Sequence, residues 1–215
     1  MSNSSLVLES FSSIKEDFFK NSSTKIAQNH VKIQKFLVVG NRIPKNFFLT
    51  SGTGESDITI HAGSYHIALK NAGIERCNII TYSSILPAIA TEVSKPIEGE
   101  LVHGSVMETI MACANSKHGE KATAGLITGW LHDKKTNEKY GGLVCEYHGN
   151  CNEEEAAMKL HASLNELHTN GFSEKFNLSE IRATTKSIVP TKKFGTSLVA
   201  LCFVDYNYPI LGIMA

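Results

Sequence analysis

Residues 151–171 read CNEEEAAMKLHASLNELHTNG, the clearest helix in the chain, and what flanks them decides the fold class. Asn152 suits the N-cap, because its side-chain oxygen accepts from an orphan N–H of the first turn. Glu153, Glu154 and Glu155 set negative charge where the helix dipole is positive, and Gly171 ends the run. Ala157, Leu160, Leu164 and Leu167 recur at helical spacing as one apolar stripe, so the helix covers a sheet on one side only. Ahead of it lie three strand-like segments, 106–114, 123–130 and 142–147. Behind it, 196–204 (TSLVALCFV) is apolar almost throughout and suits burial on both faces. Strands outnumber helices, and a helix separates two runs of strands. This order predicts an α+β layered sandwich rather than a doubly wound parallel sheet.

Outward from there, Phe47-Phe48-Leu49 predicts a strand, and Ser51-Gly52-Thr53-Gly54-Glu55-Ser56-Asp57 predicts a loop of turn formers. Residues 61–70 place Tyr65, Ala68 and Leu69 at helical spacing and stop at Asn71-Ala72-Gly73, where Gly73 fits a C′ position of positive φ. Residues 77–82 predict a strand by β-branched content, ending at Ser83-Ser84-Ile85-Leu86-Pro87. Pro96 and Gly99 mark 88–100 as a connecting loop. Residues 1–40 differ in being rich in Ser, Asn and Lys. There Ile14, Phe18 and Phe19 line one side of a short helix that Asn21-Ser22-Ser23-Thr24 breaks. The expected organisation is an N-terminal appendage at 1–40, partly helical or disordered, and a main domain at 41–215.

The chain has 215 residues, enough for one domain with a sizeable core. Lys+Arg and Asp+Glu number 21 each, so the net charge is zero and offers no electrostatic footprint for nucleic acid or an anionic membrane. No apolar run approaches the ~18 residues of a membrane span. The N-terminus lacks the basic-then-apolar order of a secretory signal. Five cysteines, without close pairs, argue against a disulfide framework or a zinc site and point to a reduced, cytoplasmic protein. The nine histidines contain no HExxH, and His161 and His168 stand two helical turns apart, so no metal site is predicted.

Four motifs carry possible chemistry. Gly52-Thr53-Gly54 lacks the rest of a dinucleotide or phosphate-loop fingerprint, and a tight turn explains it better. Ser83-Ser84 ends an apolar strand, unlike the Ser-Ser pairs that begin at Ser4, Ser12 and Ser22 in the polar N-terminal region. It is either a strand-end turn or a self-processing site, in which the Ser84 hydroxyl attacks the Ser83 carbonyl. Glu146 is charged within the apolar segment Gly142-Leu143-Val144-Cys145-Glu146-Tyr147. Its face of the strand, shared with Val144, is either solvent-exposed or part of a pocket that favours proton donation. Asn78 is unusual in a strand and either bridges an edge or serves a site.

In combination, these residues resemble the pyruvoyl-dependent arginine decarboxylases. The resemblance runs from the Gly-x-Gly-Glu-Ser-Asp stretch through Asn71-Ala72-Gly73-Ile74 and Asn78-Ile79-Ile80-Thr81-Tyr82-Ser83-Ser84-Ile85-Leu86-Pro87. It ends with Gly142-Leu143-Val144-Cys145-Glu146-Tyr147-His148-Gly149 and covers about residues 42–205. It implies a four-layer αββα sandwich, self-cleaved between Ser83 and Ser84 into a β and an α chain and assembled as a homotrimer. It implies a pyruvoyl group formed from Ser84, which takes an amino-acid substrate through a Schiff base. By the same match Glu146 is the proton donor, Asn78 the polar residue beside the pyruvoyl group, and Ser83 the new carboxy terminus near the substrate, with Ile85 beside it.

One departure stands out. Where the family has an Asp for the guanidinium of arginine, counting back from Asn71-Ala72-Gly73 gives His66, a poor guanidinium partner. Asp57 and Glu55 are the acids that can take that role. The expected function is decarboxylation of L-arginine to agmatine and CO₂, serving polyamine supply or acid resistance. The alternatives are a pyruvoyl decarboxylase of another amino acid, or an unprocessed, non-catalytic family member acting as a binding module.

Overall fold

Among the described residues, apolar side chains on opposite faces of a strand pack into separate core clusters. The computed structural model describes residues 36–97 and 99–214. The chain divides into two compact units, Val39–Leu211 and a smaller one of Met1–Val38 with Gly212–Ala215. The helix expected around Ile14, Phe18 and Phe19 lies outside the described residues.

The elements run β1 (Phe36–Val39), β2 (Ile43–Pro44), β3 (Asn46–Ser56), a π-helical turn (Ile60–Tyr65), α1 (His66–Ala72), β4 (Asn78–Thr81), β5 (Ile85–Pro87) and β6 (Thr91–Glu92). They continue as β7 (Val106–Lys117), β8 (Ala122–Asp133), β9 (Lys139–Gly149), α2 (Glu153–Gly171), β10 (Phe176–Ile188), β11 (Phe194–Phe203), β12 (Tyr206–Asn207) and β13 (Ile210–Met214). A five-stranded sheet has the order β4-β7-β11-β3-β6, and a four-stranded sheet β10-β8-β9-β5. The pairs β1-β13 and β12-β2 form two small sheets. This is an α+β chain, mostly sheet, as its segment order predicted. No helix among the described residues is long and apolar enough to cross a membrane.

Strand β11 shows how the core divides. Its Val199, Leu201 and Phe203 meet Leu86, Ala124, Leu126 and Val144 of the four-stranded sheet. Its Leu198, Ala200 and Cys202 meet Ala68, Leu69 and Ala72 of α1. The expectation of burial on both faces therefore holds. Helix α2 covers the four-stranded sheet through Leu160 and Leu164, packed on Ile127, Leu131 and Leu143. Each fully buried leucine contributes about 1.5–3 kcal/mol. Asn152 caps α2 by accepting from the Glu155 N–H at 2.7 Å. The fully buried alanine of this helix is Ala156 rather than the expected Ala157.

Three other expectations are corrected. Residues 51–56 are the end of β3, not a loop. A Cβ on Gly52 would fall 2.1 Å from the Ala68 carbonyl oxygen, and one on Gly54 would fall 2.2 Å from that of Ser64. The glycines are there because helical backbone lies directly on the strand. The 88–100 connection contains the short strand β6, held parallel to β3 through Asn46 and Phe47. Strand β10 had no counterpart among the predicted segments. It is an edge strand with few buried side chains, broken by a bulge between Ser179 and Arg182, so it lacks a clean alternation. Gly73 does adopt the left-handed cap of α1, with φ of 75°.

Candidate active site

Strand β4 belongs to the five-stranded sheet and β5 to the four-stranded sheet, so the chain changes sheets through Tyr82, Ser83 and Ser84 alone. Both sides of this corner are tied down. The Tyr82 N–H donates to the Thr109 carbonyl at 2.6 Å, and the Val144 N–H donates to the Ser84 carbonyl at 3.0 Å. The Ile85 N–H donates to the Ser83 carbonyl at 3.0 Å, which polarises the carbonyl of the Ser83–Ser84 peptide.

The Ser84 hydroxyl donates to both carboxylate oxygens of Glu146, at 3.2 and 3.0 Å. Glu146 gets there by strand geometry. Val144, two residues earlier on the same face of β9, is fully buried between the sheets. The face that Glu146 shares is therefore the inner one. Glu146 itself lies exposed, past the last residue of β9 that β5 covers. A serine hydroxyl beside a carboxylate, next to a carbonyl that accepts an N–H, is an arrangement for nucleophilic attack.

Past Glu146, a polar cleft of about 830 Å³ opens between the ends of β7 and β9, lined by Cys113, Asn115, Ser116, Glu120, Lys121 and His148 among others. Burial pushes the Cys113 thiol up to about 11. Among the described residues, no group of three or more His, Cys, Asp or Glu could hold a metal ion.

Of the remaining sequence-predicted residues, Asn78, His66, Glu55 and Asp57 stand apart from Ser84, whereas Ile85 follows it directly. Asn78 begins β4, where its side-chain amide donates to the Gly104 carbonyl at 2.9 Å, so it bridges the strand to the loop before β7. Ile85 is 57% exposed on β5. His66 is exposed at the start of α1. Glu55 accepts from the backbone and hydroxyl of Thr191, and Asp57 accepts from the Lys193 N–H. Glu55 lies across from Gly195 and, through it, Ser116, whereas Thr109 of the same strand marks the level of the corner. At strand rise that separation is roughly 23 Å. The geometry thus unites Ser83, Ser84, Ile85 and Glu146.

Sequence reading missed a second set of residues at the corner. The Tyr82 hydroxyl accepts from Arg42 Nε at 3.3 Å, and the same nitrogen donates to Glu108 at 3.1 Å. Glu108 had a legible signal, a charge inside the apolar segment Val106-Met107-Glu108-Thr109-Ile110, of the kind that singled out Glu146.

The pyruvoyl-dependent arginine decarboxylase family profile matches residues 46–208. Among curated relatives, the pyruvoyl-dependent arginine decarboxylase AaxB of Chlamydia abortus is 32% identical over 194 residues, covering 78% of this chain and 94% of the relative. Arginine decarboxylase 2 of Archaeoglobus fulgidus, also named pyruvoyl-dependent, is 33% identical over 167 residues, covering 75% and 98%. The same organism's arginine decarboxylase 1 is 32% identical over 117 residues, covering 53% and 70%.

Proposed function

This chain belongs to the pyruvoyl-dependent arginine decarboxylases, a carboxy-lyase family, and from that premise we propose that it cuts itself between Ser83 and Ser84 and then converts L-arginine to agmatine and CO₂. The observation that carries the reading is the Ser84 hydroxyl on the Glu146 carboxylate, at a corner whose two ends are bound to different sheets.

In this reading Glu146 accepts the Ser84 proton while Oγ adds to the Ser83 carbonyl carbon. The Ile85 N–H faces the oxygen that gains charge. The 83–84 C–N bond breaks, the nitrogen of residue 84 takes up the proton, and an ester joins Ser83 to Ser84 Oγ. Loss of the residue-84 α-proton breaks the Cβ–Oγ bond and frees Ser83 as a carboxylate. Water then displaces the residue-84 nitrogen as ammonia and leaves a pyruvoyl group at the head of residues 84–215. The site fits such a group: the carbonyl of residue 84, which would sit beside the new ketone, already accepts from the Val144 N–H. The group supplies an electrophilic carbonyl and an electron sink for decarboxylation. Glu146 holds the proton that replaces the carboxylate on the substrate α-carbon, which calls for a desolvated carboxyl.

A neighbouring copy supplies that desolvation in a cytoplasmic homotrimer. Ile80 and Ile85, 47% and 57% exposed on β4 and β5 beside the corner, favour burial there. The neighbour's Asn78, His66, Asp57 and Glu55 then face the site, with Asp57 or Glu55 as the guanidinium partner in place of His66. The two sheets with α1 and α2 outside them form a four-layer αββα sandwich within a domain of 41–215, and 1–40 is an appendage. Denaturing mass spectrometry tests the reading. It expects two chains, 1–83 and 84–215, and CO₂ release from arginine. One intact mass removes the pyruvoyl mechanism, and release only from another amino acid replaces the substrate.

A further inference from the structure

Among the described residues, the interior holds one carboxylate, Glu108, for which self-cleavage and decarboxylation have no direct use. Glu108, 3% exposed, points with Ile110 and Ala112 into the space between the two sheets. An unpaired carboxylate there is strongly disfavoured. Arg42 answers it at two points, Nε on one oxygen at 3.1 Å and a terminal nitrogen on the other. Such a two-point contact fixes the guanidinium plane as well as its charge. The guanidinium carbon also lies 5.6 Å from the centre of the Tyr206 ring.

The pair reaches the cleavage corner through Tyr82. Arg42 Nε lies 3.3 Å from the Tyr82 hydroxyl, and Thr109, next to Glu108, accepts the Tyr82 backbone N–H. The Tyr82 ring leans on Phe203 with centroids 5.7 Å apart. Residue 82 is thereby held at its backbone and at the tip of its side chain, one residue before the carbonyl that Ser84 would attack. The Tyr82 contact also raises the Arg42 pKa above its ordinary value. Arg42 stands outside the matched stretch 46–208, whereas Glu108 and Tyr82 stand inside it.

Resting on the self-cleavage reading, we propose that Arg42 and Glu108 are positioning residues for processing: they clamp Tyr82 and so hold the Ser83 carbonyl within reach of Ser84 Oγ. The physical reason is orientation. An intramolecular attack gains most of its rate from holding the reacting atoms in line, and rotation at residue 82 would dissipate that gain. Only one partner is buried, Glu108 with its side chain 4% exposed against 45% for Arg42, and an ion pair open to solvent on one side adds little stability, so its use at this corner fits a role in geometry.

The test follows conversion of newly made full-length chain into its two products by denaturing mass spectrometry, for wild type, Tyr82→Phe and Arg42→Lys. Tyr82→Phe removes only the hydroxyl. Arg42→Lys keeps a charge opposite Glu108 but cannot serve the carboxylate and the hydroxyl in one fixed plane. Both are expected to cleave about tenfold more slowly, as befits removal of one charge-assisted hydrogen bond that holds the attack geometry. The same substitutions made on the uncleavable Ser84→Ala chain are expected to shift the melting temperature by no more than about 4 °C. Wild-type cleavage rates in both variants overturn the inference, as does slowing that comes only with a large drop in melting temperature. A wild-type chain that stays whole overturns the decarboxylase reading instead.

Discussion

Gly52-Thr53-Gly54 and Ser83-Ser84 are alike as sequence, small polar residues following an apolar run, yet the fold uses them in opposite ways. The glycines lie inside β3 beneath helical backbone, where any side chain would meet the Ala68 or Ser64 carbonyl. The serines lie outside any strand, where the chain crosses from one sheet to the other and the Ser84 hydroxyl meets the Glu146 carboxylate. In one region small size serves packing between backbones. In the other, the functional group is what matters, and packing only holds it still. A motif of small residues therefore acquires meaning from what lies on top of it.

The sharpest way to break this contrast is Ser84→Ala. It removes the attacking hydroxyl, so the chain should remain whole and inactive, and cut protein in its mass spectrum would place the nucleophile elsewhere. Glu146→Gln keeps the shape but neither accepts the serine proton nor delivers one to the substrate. We expect kcat on arginine to fall on the order of 10²–10⁴-fold, with slower cleavage, and near-normal kcat would show another acid at work. Gly52→Ala probes the other region. Its Cβ would overlap backbone, so we expect a loss of about 2 kcal/mol or more, read as a melting temperature lower by roughly 4–8 °C. Cleavage should persist in the folded fraction, and loss of cleavage at full stability would tie the two regions together.

The smallest expected effect concerns alkaline pH on the α1 side. Cys113 and Tyr65 pack there, and burial raises both above their ordinary values, the thiol to about 11. A raised folded-state value means that the fold favours the protonated thiol. Its contribution is full below about pH 9 and fades as pH rises through about 11. The urea midpoint should fall over that window, and less steeply in Cys113→Ala. A flat profile would mean that the thiol is as solvated in the fold as outside it.

Much of the fold was legible where local and tertiary demands agree. Helix α2 has its cap, its first-turn acids and its leucine stripe in consecutive residues, and β11 is apolar enough to be buried on both sides. Strand β10 was not legible, because an edge strand with a bulge buries few side chains and shows no regular alternation. At the site, Ser84 and Glu146 could be singled out as a hydroxyl at a strand end and a charge in an apolar strand. That they touch could not, since 62 positions separate them. Arg42 carried no signal of its own, because its role exists only opposite Glu108.

Residue chemistry and periodicity alone specify which groups this chain can bring to a reaction: a Ser-Ser peptide, a carboxylate in each of two apolar strands, and a helix-and-strand order of the α+β kind. These properties are local. Which of those groups meet is set by the folded arrangement. Contact between Ser84 and Glu146, and between Tyr82, Arg42 and Glu108, depends on strand register and on the point where the chain changes sheets. Both are set by burying side chains far apart in the sequence, in β5, β7, β9 and β11, around one core.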